Sequence, residues 1–301
     1  MLNIGIVGVG AISQKAYLPV MRSIGNVKWY MCTRNQEVLN RESKLLGRCI
    51  PCNTIEELLQ FPLDGVFIHV STKAHFEVAK QFLEKGIPVY IDKPVAPSYE
   101  KTLELYQVAK KHDTFIMAGF NRRFAPKVEV LKSVEDKKRI IAEKNCTVAS
   151  QDTRTRVFDV FIHPLDKALY LMDSLPTNGT YFYKKKDGVL DQCTVYLENE
   201  NETALVQFNE TSGANLERIE VQSPSGTYSI RNLITQGQDD VLDGFTSWDS
   251  TLYKRGFETI IHSFIIAVQT KSENPVSAKS SLLSHVICER IVTAKAPQGF
   301  L

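Results

Sequence analysis

A glycine-bearing turn that directly follows an apolar run constrains the fold of this chain more than any other feature. Residues 4–7 are small or β-branched and apolar, which is typical of a strand buried on both faces of a parallel sheet. The chain then turns at Gly8 and Gly10, and apolar residues recur at helical spacing over residues 16–21. A strand, a glycine turn and a helix form the context in which a glycine fingerprint indicates dinucleotide binding.

Each residue of this turn has a separate predicted role. Gly8 permits a tight turn, and Gly10 lets a pyrophosphate approach the backbone. The first amides of the helix, at Ala11, Ile12 and Ser13, then face the anion together with the positive end of the helix dipole. Ser13 replaces the third glycine of the fingerprint and is small enough to keep helix and strand close. An ordinary βα turn is the alternative, because a lone fingerprint is not specific.

Composition narrows the class of protein. The chain has 301 residues, of which 43% are hydrophobic and 23% charged, and its net charge is +2. We therefore expect a cytoplasmic protein with no nucleic-acid or membrane partner. Because the chain begins with a predicted core strand, we expect no signal peptide. Cys49 and Cys52 have redox-motif spacing, but we interpret them as two thiols near a short strand and expect no metal site.

The second predicted strand, residues 27–32, bears on the choice of cofactor. NAD-preferring sites usually place a carboxylate after this strand to hold the ribose hydroxyls. This chain has Thr33 and Arg34 there, and an arginine with a hydroxyl suits a 2′-phosphate better. The sequence therefore favours NADP over NAD, with NAD as the alternative.

Polar clusters follow three further predicted strands, at residues 71–75, 92–94 and 121–123. In an open α/β sheet, ligands bind beyond the carboxyl ends of the strands, so these clusters belong to the predicted cofactor site. The candidate cofactor-binding residues in them are Ser71, Thr72, His75, Asp92, Lys93 and Arg122.

The pattern changes after about residue 122. Residues 1–122 predict a doubly wound parallel sheet of the Rossmann type, an α/β domain that binds a dinucleotide. Residues 123–301 predict an α+β domain with a largely antiparallel open sheet, because several segments alternate with a period of two. Helical spacing predicts helices over residues 158–172, 251–270 and 278–293 of this second domain.

The first of these helices carries a candidate catalytic set. Asp159, His163 and Asp166 stand at i, i+4 and i+7, which places them on one helix face. Oxidation of an alcohol by hydride transfer needs a group that takes the hydroxyl proton, and a histidine between carboxylates suits that task. Asp166 would orient the imidazole, and Asp159 would hold a second hydroxyl. Lys93, beside Pro94, is the second acid/base candidate.

Four motifs in this order make the chain resemble the glucose–fructose oxidoreductase/inositol dehydrogenase family, Gfo/Idh/MocA. They are Gly8-Val9-Gly10-Ala11-Ile12, the polar strand end with His75, Asp92-Lys93-Pro94-Val95-Ala96, and Asp159-x-x-x-His163-x-x-Asp166. The runs at residues 11–19 and 161–164 are most similar to the MviM-type branch. The resemblance implies a Rossmann domain, an oxidoreductase, and a homodimer or homotetramer formed through the open sheet.

The chain departs from the family pattern at three positions. Ser13 replaces a glycine, Lys73 replaces a proline, and Asp92 is one methylene shorter than the usual glutamate. The shorter carboxylate could shift Lys93, but none of these departures removes a group that the chemistry requires.

Together these features predict an NAD(P)-dependent dehydrogenase or reductase that interconverts a secondary hydroxyl and a ketone on a sugar or polyol-like substrate. Lys93 and His163 are the predicted acid/base groups, and Asp159 is the predicted substrate clamp. One alternative is a regulatory protein of the same fold that senses the dinucleotide without catalysis. A reductase of a non-sugar carbonyl, which would not need Asp159, is the second alternative.

Overall fold

A computed structural model describes residues 1–147, 151–238 and 241–301. The chain forms two compact units. The first contains residues 1–119 and 257–279, and the second contains residues 120–256 and 280–301. This arrangement differs from a division at residue 122, because a segment near the C-terminus belongs to the first unit.

A parallel sheet forms the centre of the first unit. Its strands are β1 (Leu2–Val7), β2 (Val27–Cys32), β3 (Cys49–Cys52), β4 (Gly65–Ile68), β5 (Val89–Asp92) and β6 (Ile116–Gly119). They lie in the order β3-β2-β1-β4-β5-β6 and pair in parallel, which is the doubly wound Rossmann order. Ile4 and Ile6 are fully buried on one face of β1, and Val7 is 3% exposed on the other, as expected for a strand covered on both faces.

Helices connect these strands. They are α1 (Leu18–Met21), which continues a π-helical turn (Ser13–Tyr17), then α2 (Gln36–Leu46), α3 (Ile55–Leu58), α4 (Thr72–Leu83) and α5 (Tyr99–Lys111). Thr54 caps α3 by accepting a 3.1 Å hydrogen bond from the backbone N–H of Glu57. The Glu57 carboxylate in turn accepts from the backbone N–H of Asn53, so the start of α3 resembles a capping box.

The second unit is built on a mixed sheet. Its strands are β7 (Arg139–Thr147), β8 (Asn178–Lys186), β9 (Val189–Glu198), β10 (Thr203–Asn209), β11 (Thr211–Ser223), β12 (Gly226–Arg231), β13 (Thr235–Gln238), β14 (Val241–Gly244) and β15 (Gln298–Phe300). Their order is β14-β13-β12-β11-β7-β10-β9-β8-β15. Strands β7 and β10 pair in parallel, whereas the other described neighbours are antiparallel. The predicted fold class, a Rossmann sheet plus a largely antiparallel sheet, is confirmed.

Helical segments of the second part of the chain begin with a 3₁₀ segment (Asn121–Phe124). They continue with α6 (Pro126–Lys132), α7 (Thr153–Arg156), a π-helical turn (Val157–Phe161), α8 (Ile162–Leu171), α9 (Thr251–Lys254), α10 (Phe257–Thr270) and α11 (Ala278–Thr293). Helix α8 lies against β7 and β10, where Ile140 and Val206 are fully buried. One face of the second sheet is therefore covered by the helix that carries His163.

The single helix predicted over residues 251–270 is wrong, because α9 and α10 are separated at Gly256. The φ angle of Gly256 is +76°, and a Cβ atom at this position would lie 2.2 Å from the carbonyl oxygen of Asn121. Only glycine adopts this conformation in so little space. Within the described residues, none of the helices has the length and apolar character needed to cross a membrane.

Candidate active site

The glycine turn has the geometry that a dinucleotide requires. Gly8 has a φ of +89°, and a Cβ atom there would lie 2.8 Å from the backbone of His69 and Val70. The protein itself therefore demands glycine at position 8. Gly10 differs, because a Cβ atom there would meet no described protein atom within 4 Å. The missing side chain instead leaves space beside the turn, as predicted for a pyrophosphate that approaches the backbone.

The residues after Gly10 divide between the surface and the core. Ala11 is exposed, and Ile12 has 46% of its surface exposed. Ser13 is fully buried, so this small residue lets the helix approach the sheet. The first backbone N–H groups of a helix have no partner within the helix and are suited to an anion. This turn therefore fits the pyrophosphate of a nicotinamide dinucleotide.

Thr33 and Arg34 lie at the carboxyl end of β2. The Asn35 side chain caps α2 by accepting a 3.1 Å hydrogen bond from the backbone N–H of Val38. Arg34 is exposed and Thr33 is half-buried, so both lie at the edge where the sequence predicts the ribose. Their contact with a 2′-phosphate stays a prediction.

Asp92, at the end of β5, is held by two buried aromatic side chains. Tyr17 donates a 2.5 Å hydrogen bond to Asp92 Oδ1, and His69 Nδ1 lies 2.9 Å from Oδ2. Burial alone would raise the pKa of Asp92, but His69 and these two hydrogen bonds outweigh it and lower the pKa. The residue directly before Lys93 is thus an ionised carboxylate with both oxygens engaged.

His75 supports the loop that follows Lys93. Its Nδ1 lies 2.8 Å from the carbonyl oxygen of Pro94, and its Nε2 lies 3.0 Å from that of Val70. The ring is 1% exposed, and burial lowers the pKa of His75. These contacts join the end of β4 to the Lys93–Pro94 segment. The contribution of His75 to cofactor binding, predicted from its place at a strand end, stays a prediction.

The remaining candidates of the first unit lie at the same edge of the sheet. Lys93 is half-buried and follows β5, where its peptide bond to Pro94 is cis. Ser71 is exposed and precedes α4, and Thr72 is the first residue of that helix. The structure therefore places these residues at the carboxyl ends of neighbouring parallel strands, as the sequence predicted.

In the second unit, Arg122 is the side chain that lies against His163. Its Nη1 donates to the imidazole, whose Nδ1 and Nε2 lie 2.9 and 3.0 Å away. Its Nε donates a 2.8 Å hydrogen bond to Glu217 Oε1. His163 is half-buried on α8, and Arg122 comes from the 3₁₀ segment that begins this unit. The sequence predicts a cofactor contact for Arg122, and in the structure its side chain has a partner in the candidate catalytic set.

Lys167 is a further member of the cluster that contains Arg122, His163 and Glu217. It is fully buried on α8 and donates a hydrogen bond to Glu217 Oε1, the oxygen that also accepts from Arg122. Burial lowers the pKa of Lys167 to about 8, with Glu217 opposing the shift and Arg122 adding to it. Burial would raise the pKa of Glu217, but Arg122 and Lys167 outweigh it and hold that pKa far below its usual range.

The environments of Asp159, His163 and Asp166 differ from one another. Asp159 lies in the π-helical turn and is exposed, whereas Asp166 is 1% exposed. Arg123 donates to both carboxylate oxygens of Asp166 at 2.8 and 2.5 Å, and Ser284 donates to it as well. The three residues therefore differ in their exposure and in their partners. Asp166 fixes Arg123, and Arg122 is the group beside His163.

Two arginines that precede Asp159 in the sequence have acidic partners. Arg154 donates to both carboxylate oxygens of Glu289 at 3.0 and 2.6 Å. Arg156 is buried and donates to Glu210 at 2.7 Å. These pairs account for their charge within the fold.

The sequence interpretation missed Tyr17, His69, Lys167 and Glu217. A signal existed for the last two. Glu217 alternates with Ile219 and Val221 on the buried face of β11. Lys167 follows His163 by one helical turn. A charged residue in a buried phase needs a partner, which the sequence alone does not identify. Among the described residues, no group of three His, Cys, Asp or Glu side chains could hold a metal ion.

Comparison with known proteins agrees with this geometry. Residues 2–120 match the model of the oxidoreductase family with an NAD-binding Rossmann fold, Gfo/Idh/MocA. The crystal structure of a Gfo/Idh/MocA family oxidoreductase from Vibrio cholerae superposes with a TM-score of 0.89 at 27% identity, covering 97% of both chains. The match places residues 2–120 in the Gfo/Idh/MocA oxidoreductase family.

Two further comparisons refine this assignment. The dehydrogenase MviM from Clostridium difficile has a TM-score of 0.90 at 25% identity, and the match covers 97% of this chain and 99% of that one. The inositol 2-dehydrogenase of Rhizobium meliloti is 24% identical, over 78% of this chain and 79% of its own length. The predicted family, its MviM-like branch and the enzyme class, an NAD(P)-dependent dehydrogenase or reductase, are confirmed.

Proposed function

We propose that this protein interconverts a secondary hydroxyl and a ketone on a sugar or polyol-like substrate. The observation that carries the proposal is the half-buried imidazole of His163, held by Arg122 at 2.9 Å on the helix that follows Asp159. The relationship to an inositol 2-dehydrogenase supports a substrate with several ring hydroxyls.

The chemistry divides between the cofactor and the side chains. When bound, a nicotinamide dinucleotide accepts or supplies the hydride. His163 takes the hydroxyl proton during oxidation and returns it during reduction. Arg122 Nη1 lies within 3.0 Å of both ring nitrogens, so this contact fixes the position of the imidazole. The exposed carboxylate of Asp159 accepts a hydrogen bond from a second hydroxyl. Lys93 is the competing acid/base candidate.

NADP is the cofactor that we propose, with NAD as the alternative. The exposed Arg34 and the half-buried Thr33 at the end of β2 support this choice, because no carboxylate follows that strand to bind ribose hydroxyls. We also propose that the enzyme acts in the cytoplasm as a homodimer or homotetramer. The family membership and the His163 cluster favour this enzyme over a catalytically silent sensor of the dinucleotide.

The test is a screen of sugars, polyols and sugar acids with NADP and NAD, followed at the nicotinamide absorbance. With a substrate found, His163→Ala should lower turnover by roughly 10²–10⁴-fold, the usual contribution of general acid–base catalysis. Cofactor affinity should stay within about twofold, because His163 is assigned to the substrate. Asp159→Asn should raise KM if it clamps a hydroxyl.

The control is His262→Ala, which removes an exposed histidine of α10. It should retain full turnover. If His163→Ala also retains turnover while Lys93→Ala abolishes it, Lys93 is the acid/base and the role of His163 is wrong. A protein that binds the cofactor tightly but turns over nothing in the screen would favour the sensor.

A further inference from the structure

A continuous ionic chain, formed by the side chains of Lys167, Glu217 and Arg122, ends at the His163 ring. Lys167 and Arg122 donate to the same oxygen of Glu217, and Arg122 then reaches the His163 ring. Lys167 is fully buried, and Glu217 is 6% exposed. This ionic chain connects three elements, because Lys167 lies on α8, Glu217 on β11 and Arg122 on the 3₁₀ segment.

Stability alone explains this arrangement poorly. Removing a lysine and a glutamate from water costs free energy, and apolar residues of similar size often stabilise a core as well or better. A buried ion cluster is better explained when one of its members has a task outside the cluster. Here that member is Arg122, whose side chain is 14% exposed and touches the candidate catalytic histidine.

We propose that Glu217 and Lys167 are positioning residues that hold the Arg122 guanidinium against His163 and set how readily the imidazole takes a proton. The inference rests on the proposed function of His163. Neither residue touches the substrate in this proposal. They act through Arg122 and through their own charges.

The geometry couples these charges closely. His163 and Lys167 are one helical turn apart on α8, which puts their side chains on the same side of the helix. The charged groups that face Lys167 are Glu217 from β11, Arg122 from the 3₁₀ segment and Lys144 from β7, the register partner of Glu217. Loss of the Glu217 charge leaves the surroundings of His163 more positive, whereas loss of the Lys167 charge leaves them more negative. The two changes therefore act on His163 with opposite sign.

The test is a pH titration of the histidine ring signals by NMR on the full chain, with His163→Gln to assign the signal. Relative to the parent protein, Glu217→Gln should move the His163 titration to lower pH, and Lys167→Met should move it to higher pH. Each shift should be about 0.3–1 pH unit, less than for a charge in direct contact. Once a substrate is found, the pH profile of kcat/KM should move in the same two directions.

Two matched variants remove buried charges elsewhere in the same unit. Glu210 is 4% exposed and pairs with Arg156, and Lys137 is 3% exposed and pairs with Asp173. Glu210→Gln and Lys137→Met should leave the His163 titration within about 0.1 pH unit, even where they lower stability. Shifts of equal sign in the two test variants, or equal shifts in test and control variants, would overturn the proposal.

This readout separates the two proposals. If His163 titrates with the opposite shifts but His163→Ala retains turnover, the ionic chain stands and the assigned role of His163 fails. His163 could instead be needed for turnover while its titration is unchanged by substitution of Glu217 and Lys167. In that case the ionic chain has only a structural role and this inference fails. Glu217→Gln preserves size and shape, so it decides the question even if Lys167→Met does not fold.

Discussion

Tyr17 donates a 2.5 Å hydrogen bond to Asp92, the residue that directly precedes Lys93. His69 engages the other carboxylate oxygen at 2.9 Å, and the rings of Tyr17 and His69 lie 4.0 Å apart. Asp92 is one methylene shorter than the glutamate usual in the family, so a carboxylate at this place has less reach. In this chain Tyr17 and His69 contact both of its oxygens.

Removal of the Tyr17 hydroxyl should therefore destabilise the first unit. We expect Tyr17→Phe to cost about 1.5–3 kcal/mol, the range for hydrogen bonds to charged groups. Tyr30→Phe is the control, because that hydroxyl donates to the neutral amide of Asn3 at 3.3 Å and should cost less. Urea unfolding followed by the fluorescence of the buried Trp29, in a Trp248→Phe background, measures both values. Equal losses in the two variants would contradict the role of Asp92.

Arg34 should decide the preference between the cofactors. If it binds a 2′-phosphate, Arg34→Ala should weaken NADPH binding by about 1.5–3 kcal/mol and leave NADH binding almost unchanged. Arg48→Ala, at the amino end of β3 and so at the opposite edge of the sheet, should change neither affinity. Fluorescence titration with both cofactors is the measurement. An NADH preference in the unaltered protein, or equal losses for both cofactors, would contradict the NADP assignment.

The fold of the first unit was predictable because its signals are local. A buried strand, glycines and a helical period follow one another between residues 4 and 21, and the Thr54–Glu57 cap is visible in the sequence. The break at Gly256 was not predictable, because it depends on the backbone of Asn121, which is distant in sequence. Short edge strands such as β15 (Gln298–Phe300) carry too few residues to show a period of two.

His285 should make the protein sensitive to acid. It is fully buried on α11, its Nδ1 lies 2.7 Å from the carbonyl oxygen of Ser281, and burial lowers its pKa from 6.5 to about 4. The unfolded chain thus takes up a proton at a higher pH than the native state. The contribution of His285 is complete above pH 6.5 and is lost as the pH falls to about 4.

Unfolding free energies measured at pH 7 and pH 4 test this linkage. The parent protein should lose on the order of 3 kcal/mol more than His285→Gln over this interval. Replacement of the exposed His262 by Gln should leave the pH dependence unchanged. A parent protein and His285→Gln variant with parallel pH dependence would show that His285 is not the source.

The uncovered face of the second sheet should form a subunit interface. Phe182 is 49% exposed and Tyr196 is 37% exposed on neighbouring strands of this face. A sheet face with exposed aromatic residues is typical of an interaction surface, and a symmetric dimer would bury it. Phe182→Asp should convert the oligomer to a monomer in light scattering at micromolar concentration. Trp248→Asp, at a residue that is 94% exposed outside the strands, should not. A monomeric parent protein would refute this interface.

The candidate site was predictable in its residue types and not in its partnerships. The sequence identified His163 and Arg122 separately, from a helix motif and from a strand end. Their contact depends on how the 3₁₀ segment meets α8, and Glu217 enters from a strand almost a hundred positions later in the chain. Pairing between distant segments leaves no local period, so the helix motif points to Asp166 rather than Arg122 as the group that orients the imidazole.

Helix α10 completes the first unit although it follows most of the second unit in the chain. Its Phe264 packs against Phe67, Tyr90 and Phe115, which belong to the parallel sheet or lie at its edge. A ribosome therefore releases the whole nucleotide-binding sheet long before the helix that shields this aromatic surface. The aromatic side of the newly made sheet therefore stays uncovered while residues 120–256 are synthesised. A gene cut after residue 120 encodes the whole glycine turn, yet its product lacks a helix that covers its own core.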